Sequence, residues 1–244
     1  MSVISETLKY EADGLQMESP LFFDDTAPGP RPGILLFPDV FGVGSHVRER
    51  AERLASLGYC ALACDLHGGG QRIEDVQRVN ELMGPVREDA GRLRARGIGA
   101  LDALASHDSV DASRIVATGY CIGGTFALEL ARSGADIAGV VGFHSGLQTP
   151  RPQNASAIKG KILVCIGADD PMIPPAQRAD FEAEMRAGGV DWRMHLYGGT
   201  VHSFTNVHAD AMGRPEMARY SPGADVRSWA EQLAFLEELF GKPG

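Results

Sequence analysis

Apolar and polar positions along the chain fall into two patterns. Short continuous apolar runs cover 33–37, 59–66, 113–120, 137–143, 161–167 and 190–197. Runs of this length without polar alternation predict strands buried on both faces of a sheet. Between them, apolar residues recur at helical spacing. Val47, Ala51, Leu54 and Leu57 predict a helix capped by Ser45 and stopped at Gly58. Residues 71–107 read as charged helix interrupted at Gly84-Pro85, and 125–133 and 175–187 as two further helices. Trp229, Leu233, Leu236 and Phe240 line one face of a closing helix over 225–240. At the other end, 5–11 and 15–23 flank Asp13-Gly14, a two-residue hairpin signal.

Strand and helix then alternate with neither an internal repeat nor a break in composition. The expected fold class is α/β: one domain over 1–244, with a doubly wound, mostly parallel sheet in a three-layer α/β/α arrangement and an antiparallel N-terminal hairpin. Residues 205–223 are polar and rich in small side chains, long enough for a lid or an interface insertion.

Composition narrows the possibilities. Apolar residues make up 44% and charged residues 23% of 244, the balance of an ordinary globular protein with a large core. A net charge of -9 argues against nucleic acid or an anionic membrane surface as a general partner, and leaves room for a local basic pocket. No apolar stretch approaches the roughly 20 residues of a membrane span, and the first nine residues lack a signal-peptide layout, so a cytoplasmic location is expected. Cys60, Cys64, Cys121 and Cys165 all sit in apolar runs without C-x-x-C spacing, and three of them read as core filling.

Cys121 is the exception. Gly119-Tyr120-Cys121-Ile122-Gly123 has the form of the G-x-S-x-G nucleophile elbow with sulfur for oxygen. Such a turn is strained and has no room for a Cβ two residues either side of the nucleophile. Asp39, His67, His144, Asp170 and His202 also fall at carboxyl ends of predicted strands, where open parallel sheets bind ligands. The elbow calls for the chain order nucleophile, acid, histidine. Cys121, then Asp169 or Asp170, then His202 satisfies it, whereas His67 and His144 precede the acid. His46, His107 and His208 read as surface or capping residues and His195 as structural. A thiol with a pKa near 8.5 needs an imidazole to take its proton, and His202 is the candidate. An oxyanion needs two backbone donors, expected from Ile122 at the helix start and Val40 in the turn after the first buried strand.

Together these motifs resemble the dienelactone hydrolase family. The resemblance rests on Phe37-Pro38-Asp39-Val40-Phe41-Gly42, Asp65-Leu66, Gly119-Tyr120-Cys121-Ile122-Gly123-Gly124, Gly167-x-x-Asp170 and His202-Ser203-Phe204, in family order over about 30–240. It implies an α/β-hydrolase with a Cys121, Asp170, His202 triad, no cofactor and no metal. The implied reaction is hydrolysis of a small-molecule ester or lactone through an acyl-thiol intermediate, in a monomer or small homo-oligomer. Two positions depart from the pattern. Asp39 stands where the family has a thiol-activating glutamate, and Asn206 where enzymes binding a carboxylate-bearing lactone have an arginine. Asp39, His67, Tyr120, His144 and Asn206 are the expected substrate-binding or thiol-activating residues, with Arg72, Arg78 and Arg87 as other cations within reach. A non-catalytic binding or redox-responsive thiol protein on the same fold is the alternative, because a fold does not dictate a function.

Overall fold

A computed structural model of the chain describes residues 2–241. An eight-stranded sheet runs through it in the order β1-β2-β4-β3-β5-β6-β7-β8. The strands are β1 (Val3–Ala12), β2 (Leu15–Asp24), β3 (Arg31–Phe37), β4 (Cys60–Ala63), β5 (Val110–Tyr120), β6 (Gly139–Phe143), β7 (Lys161–Gly167) and β8 (Trp192–Tyr197). β1 and β2 form the expected hairpin, with Asp13 and Gly14 at φ 52° and 70° in its turn. That pair of left-handed residues matches the twist of the strands it joins. β2 meets β4 antiparallel, and from β4 to β8 every pairing is parallel.

Six helices cover the sheet: α1 (Ser45–Ala55), α2 (Val76–Arg87), α3 (Ala90–Ala105), α4 (Ile122–Arg132), α5 (Pro175–Gly188) and α6 (Pro222–Phe240). Successive residues of a strand face opposite ways, so the apolar runs feed two cores. Leu35, Phe37, Ile115, Ala117, Val140 and Val164 pack with Val79, Leu93, Phe126 and Phe181 of α2 to α5. Ile34, Leu36, Val116, Val141 and Leu163 pack on the other face with Val47 and Leu54 of α1 and Trp229 and Phe235 of α6. The result is the three-layer α/β-hydrolase architecture.

Some boundaries differ from expectation. The N-cap of α1 is Gly44, and Ser45 is the first helical residue. α2 runs through Gly84-Pro85 and ends two residues beyond the proline, at Arg87. The break comes instead at Asp89, whose carboxylate caps α3 by accepting from Gly91 and Arg92.

Candidate active site

β5 ends at Tyr120, and Cys121 turns the chain into α4 with φ 57° and ψ −124°. The turn is possible because of what surrounds it. A Cβ on Gly119 would fall within the backbone of Gly123, and one on Gly123 within the carbonyl of Phe37. One on Gly124 would strike the Ser145 side chain. Cys121 is thus held at the carboxyl end of the central strand, half-buried, with its side chain lining an open cavity of about 1120 Å³.

Asp170 follows β7 and His202 follows β8. Nδ1 of His202 donates to Asp170 Oδ2 at 2.7 Å, and both side chains are buried. The second Asp170 oxygen accepts from the Met172 amide at 2.8 Å, which fixes the carboxylate plane. Among the described residues His202 Nε2 is buried without a hydrogen-bond partner, and Cys121 is the group whose charge favours the protonated ring most. Burial opposes the imidazolium, but the charge and hydrogen bonding of Cys121 and Asp170 outweigh it and lift the His202 pKa to about 10. The three residues expected as a triad thus stand at the carboxyl ends of β5, β7 and β8, with His202 hydrogen-bonded to Asp170 and coupled by charge to Cys121.

The oxyanion donors are disposed as their turns require. Ile122 is the first residue of α4, so its N–H has no acceptor within the helix. In the 39–42 turn, the Phe41 amide is spent on the Asp39 carboxylate at 3.0 Å and the Gly42 amide on the Asp39 carbonyl at 3.1 Å. Among the described residues the Val40 amide has no such acceptor. His67 Nε2 donates to the Val40 carbonyl at 2.9 Å and so holds the next peptide of the turn, Val40–Phe41. That contact, rather than one with substrate, is where the structure puts His67.

Asp39 lies beside this turn. Burial raises its carboxyl pKa, partly offset by the Phe41 amide, Arg72 and His202. Three other expected residues stand away from the cavity wall. Tyr120 points away from the cavity into the α1/α6 core, stacked on Phe143 at 5.1 Å, and burial holds its pKa up to about 12. His144 is buried behind the elbow and out of reach of substrate, with Nδ1 accepting from the Cys121 amide at 3.1 Å. Asn206 is absent from the cavity wall and uses Oδ1 to accept from the His208 amide.

Residues 205–223 do not form a lid over the cavity, since none of them lines it. They fold alongside the histidine loop instead. His202 N–H donates to the Met217 carbonyl, Arg219 N–H to the His202 carbonyl, and Ser221 N–H to the Phe204 carbonyl, each at 3.1 Å. Of the cavity wall, formed largely by Leu147, Pro150, Ile173 and Phe181 with Arg87 and Glu88, sequence reasoning named Arg87 alone. It also missed Thr205 and His46, which pack behind the elbow. His144 and His202 were each readable as strand-end residues, but the partner at 205 had no motif to mark it.

No cluster of three or more His, Cys, Asp or Glu among the described residues is arranged to hold a metal ion, and no helix among them is long and apolar enough to cross a membrane.

Comparison with known proteins agrees with this geometry. The dienelactone hydrolase family model matches residues 19–240. A Methylorubrum extorquens protein named "Putative carboxymethylenebutenolidase" is 32% identical over 221 residues, covering 84% of this chain and 73% of that one. A Bradyrhizobium protein named "Probable 2-oxo-3-(5-oxofuran-2-ylidene)propanoate lactonase" is 28% identical, covering 88% and 87%. Among solved structures, a dienelactone hydrolase-like promiscuous phosphotriesterase from metagenomic libraries superposes with a TM-score of 0.93 at 36% identity, covering 99% and 100% of the two chains. The protein designated m3DLH superposes at 0.94 with 40% identity, covering 98% and 100%. The chain belongs to the dienelactone hydrolase family and is a hydrolase of the lactone and ester type.

Proposed function

We propose that the protein hydrolyses uncharged carboxylic esters or lactones by a Cys121, His202, Asp170 triad. The observation that carries this reading is the 2.7 Å bond from His202 to Asp170, on a ring whose proton affinity the Cys121 charge raises. His202 takes the thiol proton as Cys121 Sγ adds to the substrate carbonyl, and the amides of Val40 and Ile122 receive the oxyanion. Collapse breaks the carbonyl carbon to alkoxide bond, and His202 gives its proton to the departing oxygen. A water, deprotonated by the same imidazole, then adds to the thioester. The acid leaves and the thiol is restored.

The preference for an uncharged substrate follows from the wall. It is largely apolar, and its cation, Arg87, stands next to Glu88 with Asp180 also on the wall. Glu184 on the same wall is occupied by Arg132 at 2.7 Å. A phosphotriester is a second substrate class for the same thiol, favoured by the likeness to the promiscuous phosphotriesterase and by the size of the cavity.

Mass spectrometry of enzyme quenched during turnover of a p-nitrophenyl ester tests the mechanism. The expected result is the acyl mass on the peptide bearing Cys121, and no turnover by Cys121→Ala or His202→Ala. Full turnover by either variant overturns it.

A further inference from the structure

Behind the elbow a line of polar groups runs away from the cavity. The Cys121 N–H is shared between the Phe143 carbonyl at 3.0 Å and His144 Nδ1 at 3.1 Å. A backbone N–H can only donate, so Nδ1 of His144 bears no proton. Burial and the nearby His202, His46 and Arg50 push the His144 pKa well below its ordinary value. The ring is therefore neutral, and its single proton sits on Nε2, from which it is donated to Thr205 Oγ1 at 2.9 Å. Thr205 Oγ1 also meets His46 Nε2 at 3.4 Å.

The same ring touches the base. His144 and His202 meet edge to face with centroids 5.0 Å apart, and Phe204 closes on His144 at 5.3 Å. His144 itself is held at φ 41°, a left-handed conformation costly for a residue with a Cβ. Ser203, next to the base, has φ 56° and Cys121 has φ 57°. Three strained residues thus meet around one buried imidazole.

We propose that His144 is a positioning residue for hydrolysis: its neutral ring, proton on Nε2, ties the Cys121 backbone and the His202 ring to the hydroxyl of Thr205. The inference rests on the triad reading above. Arg50 anchors the far end, donating to the Thr205 carbonyl at 2.9 Å while paired with Asp225 at 2.6 Å. Without the Thr205 hydroxyl, the Nε2 proton has no acceptor, and moving it to Nδ1 sets two N–H groups against each other at Cys121.

The test compares Thr205→Val, Thr205→Ser and His144→Phe with the parent enzyme on one p-nitrophenyl ester, alongside Cys121→Ala. Thr205→Val keeps the shape and removes the hydroxyl. It is expected to lower kcat on the order of 10- to 100-fold with little change in KM, the signature of misplacement. The rate of Cys121 alkylation by iodoacetamide should also change, and Thr205→Ser should restore both readouts. His144→Phe should lower kcat at least as far, and if it does not fold, the two Thr205 variants decide. A folded Thr205→Val with parental kcat and alkylation rate overturns the positioning role alone. Turnover by Cys121→Ala overturns the triad and this inference together.

Discussion

Arg132 grips both carboxylate oxygens of Glu184, Nε on one and Nη2 on the other, each at 2.7 Å. The pair lies at the cavity wall, which Glu184 lines, with both side chains buried, and Arg132 also donates to Glu129 and to the Leu147 carbonyl. It joins α4 to α5 and holds the Leu147 wall in place. Removing one partner of such a pair leaves a buried charge alone, at a cost of about 3–5 kcal/mol. Urea unfolding of Arg132→Leu should show a loss of that size. Arg132→Leu combined with Glu184→Leu should recover part of it, and a loss below about 1 kcal/mol contradicts the account.

The His202 pKa, lifted from 6.5 to about 10 in the fold, sets a pH window. A pKa raised by folding means that the folded state binds the proton more tightly. Its stabilisation is complete below about 6.5 and is lost as pH climbs toward 10. Thermal melts of the parent and His202→Asn from pH 6 to 10.5 should show the parent losing Tm relative to the variant across that window. A constant difference in Tm would count against the ion pair.

Close packing at the elbow makes a prediction about stability rather than chemistry. Gly124→Ala would drive a methyl into Ser145, and overpacking of this kind costs about 1–3 kcal/mol. Gly124→Ala combined with Ser145→Gly should regain much of the loss, since the Ser145 side chain is the obstacle nearest that Cβ. Denaturation midpoints of the two variants check this, and an unaltered midpoint in Gly124→Ala would mean the turn yields.

Substrate charge can be probed with a lactone bearing a carboxylate and its methyl ester. The ester should have the higher kcat/KM, because the carboxylate must approach Glu88 and Asp180 with Arg87 as the cation on that wall. A strong preference for the anion, abolished by Arg87→Ala, would show that Arg87 outweighs them.

Much of this was legible in the sequence, for a physical reason. Strands buried on both faces leave continuous apolar runs, and Gly119, Gly123 and Gly124 are required by contacts within one turn, so β5, the elbow and the order of its partners could be read locally. The strand over 59–66 was overextended because Cys64 and Leu66 are as buried as β4 itself, and burial alone does not distinguish pairing from packing. Contacts between distant positions left no such trace. His144 meets Thr205 across 61 residues and Thr205 meets His46 across 159, and neither separation has a period or a motif. His46 accordingly looked like a surface residue, although burial pushes its pKa down to about 3.

The bracing of the histidine loop has a consequence in time. Arg50 joins the Thr205 carbonyl to Asp225 of α6, 175 residues further along the chain from Arg50. Cys121 and its elbow depend on β3, β5 and α4, all made well before that helix leaves the ribosome. The brace from Arg50 to the loop after His202 is therefore completed only when the last helix docks.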